Sequence, residues 1–420
     1  MARPPQINLT VTCMLQVISY RGIERLQHLE YIGIIARHPD PDERRQWIGK
    51  VTEMTYYRLN TVIAIFLVVF VRLAFADESV DKLIEDAGLR EGATATRDFE
   101  GWRPAEKIVV RAFADLATSL QAEFADVRFV AVTSPADAVL EVIGADALIG
   151  FCDGEIIDAA DRLVWVQIFS AGAERCVVVD AVAKGEVLLT NMQKMSSPII
   201  GEHAIAMMLS LTRGLTQQAK SMSSGDWNRS VGDELGMMSV DGKTLLVVGL
   251  GGIGNAAAKR AAALGMRVVA TRNSSRSGPD YVDYVGLSDE LFELAAQADV
   301  IINALPLTPQ TEGLFDSTFF DTAKSGVIFV NVARGRSVVT DDLVDALKDG
   351  RVAAAGLDVT DPEPLPSEHP LWQMPNVIIT PHIAWYGSNF ERERAIATEN
   401  IRRYIQGDAL LNVVDPTRGY

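Results

Sequence analysis

The sequence predicts an α/β protein of two domains built on parallel sheets, and three observations carry that prediction. From Lys107 onward, strand-like apolar runs alternate with helical stretches almost to the C-terminus. One of those runs, Thr244-Leu245-Leu246-Val247-Val248, is unbroken and partly β-branched, as suits a parallel strand covered on both faces. With 420 residues, 48% of them apolar and 22% charged, the chain is globular and long enough for two domains.

That apolar run breaks into Gly249-Leu250-Gly251-Gly252-Ile253-Gly254, followed by an alanine-rich helix that ends at Gly265. In the GxGxxG spacing, Gly249 permits the sharp turn off the strand and Gly251 lets a pyrophosphate approach the backbone. Gly254 lets the helix pack close to the sheet. The helix start, with Gly252 and Ile253, presents free NH groups to phosphate. Strand, glycine turn and helix together predict a dinucleotide site in a Rossmann-like domain.

The net charge of −16 excludes a general nucleic-acid binder, which needs a basic face. At the N-terminus, residues 61–71 are uncharged and bounded by Arg58 and Arg72, a run too short to span a bilayer comfortably. It suits a secretory leader starting at Met54, with Ala74-Phe75-Ala76 as the cleavage site. Residues 1–53 are then expected to be a gene-model extension and 54–76 a signal peptide. The protein would be periplasmic or secreted if that leader is real, with no stable membrane span after cleavage, and cytoplasmic otherwise; a buried strand or helix of an N-terminal extension and an uncleaved anchor are the alternatives for this stretch. A start at Met54 leaves Cys152 and Cys176, for which a disulfide and two free thiols both stay open.

The first domain is expected to take strands from Ile108-Val109-Val110 and from residues 127–132, 147–150 and 164–168. Two of its strand ends carry loops of small residues, at 150–154 and 170–173, where ligands of open α/β sheets sit. His203, on a long apolar helix, reads as a structural residue packed between the domains.

In the second domain the strand at residues 267–271 ends where an acidic residue would bond the ribose 2′-OH of NAD. This chain has Arg272 there, eighteen positions after Gly254, followed by Asn273, Ser274, Ser275 and Arg276. Arginines and hydroxyls suit a 2′-phosphate through charge-assisted hydrogen bonds, so NADP is the preferred cofactor and NAD remains possible. Further strands at 299–305, 326–333, 352–359 and 377–380 end in loops carrying Pro306 and Thr308, then Arg334, then Asp358 and Glu363, then His382. An arginine can clamp a carboxylate, a histidine can protonate a carbonyl oxygen, and a glutamate can orient the imidazole. No metal is implied, for no His/Cys cluster has ligand spacing.

Asn331-Val332-Ala333-Arg334-Gly335, Asp358-Val359 with Glu363-Pro364, and Thr380-Pro381-His382, in that order after GxGxxG, resemble the signature set of the D-isomer-specific 2-hydroxyacid dehydrogenases. The likeness covers about residues 107–415. It implies that Arg334, Glu363 and His382 are the catalytic trio and that Asp358 holds the nicotinamide amide. Leu305, Pro306, Thr308, Val332 and Ala333 would line the cofactor cleft. Cys152, Asp153, Ala171 and Gly172, from the two loops of small residues, would serve the substrate. By their place after the histidine, Trp385 and Tyr386 suggest an aromatic wall, for which closing the pocket and packing in the core both stay open. It further implies a homodimer, and a cofactor domain (191–385) inserted into a discontinuous substrate domain (77–190 plus 386–420). The expected activity is hydride transfer between NADP(H) and a small 2-keto or (R)-2-hydroxy acid. A dinucleotide-sensing, co-repressor-like binding protein on the same fold is the alternative, and a methyltransferase would leave the trio without a joint purpose.

Overall fold

In the computed structural model, residues 80–417 are described apart from positions 113–114, 228, 230–231, 233–235 and 388–389. The expected leader and N-terminal extension lie outside the described residues. Among these residues no helix is long and apolar enough to cross a membrane.

Two all-parallel sheets organise the chain. The first joins β1 (Lys107–Arg111), β2 (Arg128–Val132), β3 (Ala147–Ile149), β4 (Trp165–Gln167) and β5 (Leu188–Thr190) in the order β2-β1-β3-β4-β5. The second has seven strands: β6 (Thr244–Val248), β7 (Arg267–Thr271), β8 (Tyr284–Gly286), β9 (Val300–Asn303), β10 (Val327–Asn331), β11 (Val352–Leu357) and β12 (Val377–Ile379). Their order, β12-β11-β10-β9-β6-β7-β8, reverses direction at β6, the topological switch point where dinucleotides bind. Strands β5 and β8, each at an edge of its sheet, are additions to the strands expected from the sequence.

Both sheets are covered on both faces, which is why their strands read as continuous apolar runs. One face of the seven-stranded sheet packs Ala204, Met207 and Met208 of the helix Ser197–Thr212 and Ala257, Ala258 and Ala261 of the helix Gly252–Ala263. The other face buries Phe315, Phe319, Phe320 and Phe329 with Leu343 and Leu347.

The C-terminal helix Phe390–Gln406 returns to the first sheet, where Ile401 and Tyr404 join Ile108, Leu120 and Trp165 in one core. Polar bonds fix its register: Asn400 Nδ2 donates to Gln167 Oε1 (2.8 Å), and Asn400 Oδ1 accepts from the Leu411 NH (2.7 Å). Each of these buried amide groups would be costly without its partner.

Candidate active site

The glycine turn is built as a cradle. Gly249 has φ +95, a region closed to most side chains, and a Cβ there would stand 3.1 Å from the Ala304 backbone. A Cβ on Gly254 would collide with the Gly249 carbonyl oxygen, so the helix can lie against the turn only as glycine. At Gly251, by contrast, nothing lies within 4 Å of the Cβ position, leaving its backbone open to an incoming group. Gly251 caps the helix Gly252–Ala263, whose first NH groups face the same space. A dinucleotide pyrophosphate fits this arrangement of open backbone and helix N-terminus.

At the end of β7, Thr271 anchors the turn: its carbonyl accepts from the Leu250 NH (2.9 Å) and its Oγ1 from the Gly249 NH (3.3 Å). Arg272, next in sequence, is half-buried and donates through Nη1 to the Ser277 carbonyl (3.1 Å). Asn273 and Ser274 are exposed beside it. Arg276 is differently employed from the sequence reading, because it pairs with Glu290 (2.7 Å) and donates to Tyr284 Oη (3.0 Å). Hydrogen bonds from Arg276, then Tyr284 and the Leu287 NH, hold the Glu290 carboxyl down to about 2. One arginine of the two is therefore already neutralised, and Arg272 is left as the cation of this turn.

Leu305, Pro306 and Thr308 follow β9. The Leu305 NH is tied to Asn303 Oδ1 (3.1 Å), and Thr311 Oγ1 bridges the Thr308 NH (2.8 Å) and the Pro306 carbonyl (2.7 Å). Val332 and Ala333, past β10, are buried.

The Arg334 backbone is held by its carbonyl, which accepts from Asn331 Nδ2 (3.0 Å) and Ser337 Oγ (2.6 Å). At the following Gly335 a Cβ would overlap the Thr360 backbone, so the loop of Arg334 packs directly on the loop that leads to Glu363. Glu363 Oε1 and His382 Nδ1 are 2.7 Å apart, and the other carboxylate oxygen accepts from the Thr360 NH (3.4 Å). An imidazole bonded through Nδ1 presents Nε2 on its far side, where it can give up or take a proton.

His382 has φ +54, a strained value for a residue with a side chain. Its NH donates to the Asp358 carbonyl (2.7 Å). The Asp358 side chain, 2% exposed, accepts from Thr380 Oγ1 (2.6 Å), the Ile383 NH (3.0 Å) and the Ala384 NH (3.0 Å). This carboxylate thus holds the histidine loop. Oγ1 of Thr380 also meets His203 Nε2 at 3.0 Å, tying the helix Ser197–Thr212 to the same loop. Trp385 and Tyr386 are exposed and pack edge to face (5.7 Å), with Trp385 Nε1 donating to the His382 carbonyl (3.1 Å). They sit beside the histidine at the surface and not in the core.

From the first sheet, the loop after β4 reaches Arg334. The Ala171 carbonyl is fixed by Asn191 Nδ2 (2.7 Å), and a Cβ on Gly172 would collide with the Arg334 guanidinium. Glu174, which the sequence reading passed over, receives Arg334 Nε at 2.6 Å. Burial pushes the Glu174 carboxyl up, but the Arg334 charge and hydrogen bond outweigh it and leave it below its usual value. Arg334 Nη1 donates to the Ala333 carbonyl (2.8 Å), and Nη2 lies against Gly172. Cys152 and Asp153, after β3, connect to this loop through the Cys152–Cys176 disulfide (Cα atoms 5.5 Å apart).

A dinucleotide cradle at a switch point, facing an arginine and a carboxylate-bonded histidine, defines an NAD(P)-dependent oxidoreductase. Comparison with known proteins gives the family. Residues 205–384 match the D-isomer specific 2-hydroxyacid dehydrogenase, NAD binding domain. A hydroxypyruvate reductase of Blautia hydrogenotrophica is 34% identical over 265 residues, 62% of this chain and 81% of that protein. A human glyoxylate reductase/hydroxypyruvate reductase is 32% identical over 263 residues, 61% of this chain and 79% of the relative. Among solved structures, a D-isomer specific 2-hydroxyacid dehydrogenase from Xanthobacter autotrophicus Py2 in complex with NADPH and MES is 26% identical with a TM-score of 0.63, over 75% of this chain and all of that one. The chain belongs to the D-isomer-specific 2-hydroxyacid dehydrogenase family and is an NAD(P)-dependent oxidoreductase acting on the CH–OH group of 2-hydroxy acids. The co-repressor-like alternative finds no support in these relatives.

Proposed function

We propose that this enzyme reduces small 2-keto acids of the glyoxylate and hydroxypyruvate type to 2-hydroxy acids, of R configuration where C2 becomes a stereocentre, with NADPH preferred over NADH. The observation that carries the reading is the Glu363–His382 pair, 2.7 Å apart, in loops packed against that of Arg334. The reduced nicotinamide, when bound, supplies the hydride that forms the new C–H bond. The chain's own residues do the rest. Donors of Arg334 left free by Glu174, with the Ala171 and Gly172 backbone, bind the substrate carboxylate and set the carbonyl's orientation. His382 Nε2 delivers a proton to the carbonyl oxygen as its π bond opens, and Glu363 stabilises the charged imidazole before that transfer. In the reverse direction the same nitrogen takes the hydroxyl proton.

Cofactor preference is supported by Arg272, where a ribose-binding acid would repel a 2′-phosphate. A homodimer is supported by apolar exposure at Leu215, Met222 and Trp227, beside the helix Ser197–Thr212, and the molecular mass in solution decides it.

The test is steady-state turnover of a 2-keto acid panel, from glyoxylate to phenylpyruvate, with NADPH and with NADH. Glyoxylate or hydroxypyruvate should turn over, and Arg334→Ala should lower kcat/KM by on the order of a hundredfold or more through loss of a charge-assisted bidentate contact. A variant with wild-type kcat/KM would remove Arg334 from the site.

A further inference from the structure

We propose that Glu174 is a positioning residue for keto-acid reduction: its carboxylate, carried by the first sheet, fixes the plane of the Arg334 guanidinium, carried by the second, before substrate enters. The inference rests on the carboxylate-binding role argued for Arg334 above.

The turn that carries Glu174 is tied down residue by residue. The Ser170 carbonyl accepts from the Met192 NH (3.1 Å), the Ala171 carbonyl from Asn191 Nδ2 (2.7 Å) and the Gly172 carbonyl from Ser170 Oγ (2.8 Å). The Ala173 carbonyl accepts from the NH groups of Cys176 (2.8 Å) and Val177 (3.0 Å). Ala173 and Cys176, which flank Glu174 in this turn, are buried in the core of the first sheet. A carboxylate mounted there has only its own side-chain torsions left to lose when it orders a partner.

Arg334 is gripped from both sheets. Its Nε donates to Glu174 Oε1 (2.6 Å) and its Nη1 to the Ala333 carbonyl (2.8 Å). Two held nitrogens set the plane of a rigid fork. At Gly172 a Cβ would stand 1.8 Å from Arg334 Nη2 and 2.5 Å from Glu174 Oε2, so guanidinium and carboxylate close together on bare backbone.

Among the described residues, Glu174 is the one carboxylate paired with Arg334, and the two side chains are 38% and 28% exposed. A pair so open to water contributes little to stability. An acid beside an anion site also opposes the entry of a keto-acid carboxylate. Orientation offsets that cost. A guanidinium on a long flexible stem, left unpinned, meets a carboxylate at many angles, and few of them place the carbonyl between the hydride donor and His382.

The experiment is a double-mutant cycle on the full-length protein, with wild type, Glu174→Ala, Arg334→Ala and the double variant, and Glu174→Gln alongside. Turnover of hydroxypyruvate is followed with the nicotinamide cofactor that wild type uses faster, together with Tm and cofactor affinity. Glu174→Ala should lower kcat roughly tenfold, the worth of one charged hydrogen bond. The KM for hydroxypyruvate should change less than about threefold, because the charge of Arg334 remains. Glu174→Gln, which keeps an acceptor for Nε, should recover most of the loss. In the Arg334→Ala background Glu174→Ala should lower kcat/KM no further, since the group it orients is gone. An equal loss in both backgrounds would show that Glu174 only supports the fold and overturn the assignment, as would unchanged kcat in Glu174→Ala. If wild type reduces no 2-keto acid, or Arg334→Ala matches it, the proposed function of Arg334 falls and this inference with it. Turnover that depends on Arg334 and not on Glu174 sinks this inference alone.

Discussion

His382 is held in a strained backbone conformation by a neighbour that never touches its ring. The Asp358 carboxylate takes the NH groups of Ile383 and Ala384, while its carbonyl takes that of His382. Asp358→Asn replaces one acceptor oxygen with an NH₂ facing a backbone NH, at a cost of about 1–3 kcal/mol. Loosening the loop should lower kcat by roughly tenfold or more, with a smaller change in the KM for keto acid. Steady-state kinetics check this, and unchanged kcat would refute the positioning role. The sequence pointed to Asp358 through family likeness alone, as a partner of the nicotinamide amide. Its grip on Ile383 and Ala384 depends on a loop folding back from β12, which no local pattern announces. Glu174 was illegible for the same reason: a glutamate in a loop of small residues has no meaning until Arg334, 160 positions later, is brought beside it.

The strand, glycine turn and helix at β6 form the opposite case, because each glycine answers a constraint of the local backbone. A methyl group on Gly254 must push the Gly249 carbonyl away, so Gly254→Ala should cost about 1–3 kcal/mol of stability, as overpacking does. Denaturant unfolding measures that loss, and a Gly254→Ala protein of wild-type stability would contradict the close packing. The C-terminal helix Phe390–Gln406 carries a buried acid, Glu393, whose carboxyl burial pushes up despite a hydrogen bond from Ser196 Oγ (3.1 Å). A carboxyl raised in the folded state favours folding while protonated, and that contribution is lost as pH rises from its unfolded value, near 4.5, through the folded one. Glu393→Gln should therefore raise Tm at pH 8 and leave it close to wild type at pH 4. A Tm gain that is the same at both values would show that ionisation of Glu393 is not the cause.

At the scale of the whole molecule, the reaction space is made by two sheets meeting. One contributes the glycine turn, Arg334, Glu363 and His382, and the other contributes the Ala171–Gly172 turn and Glu174. The parallel-sheet architecture could be read from apolar runs because strands covered on both faces carry their burial in composition. The edge strands β5 and β8, and the employment of Arg276 by Glu290, could not, since both are settled by what packs beside them. In the proposed reaction His382, oriented by Glu363, moves the proton in keto-acid reduction. The most direct measurement is NADPH oxidation with hydroxypyruvate by wild type and His382→Gln, alongside NADPH affinity. In His382→Gln the kcat should fall on the order of a hundred- to ten-thousandfold, the usual worth of a positioned acid, with cofactor affinity retained. A His382→Gln enzyme that binds NADPH and turns over at the wild-type rate would contradict it.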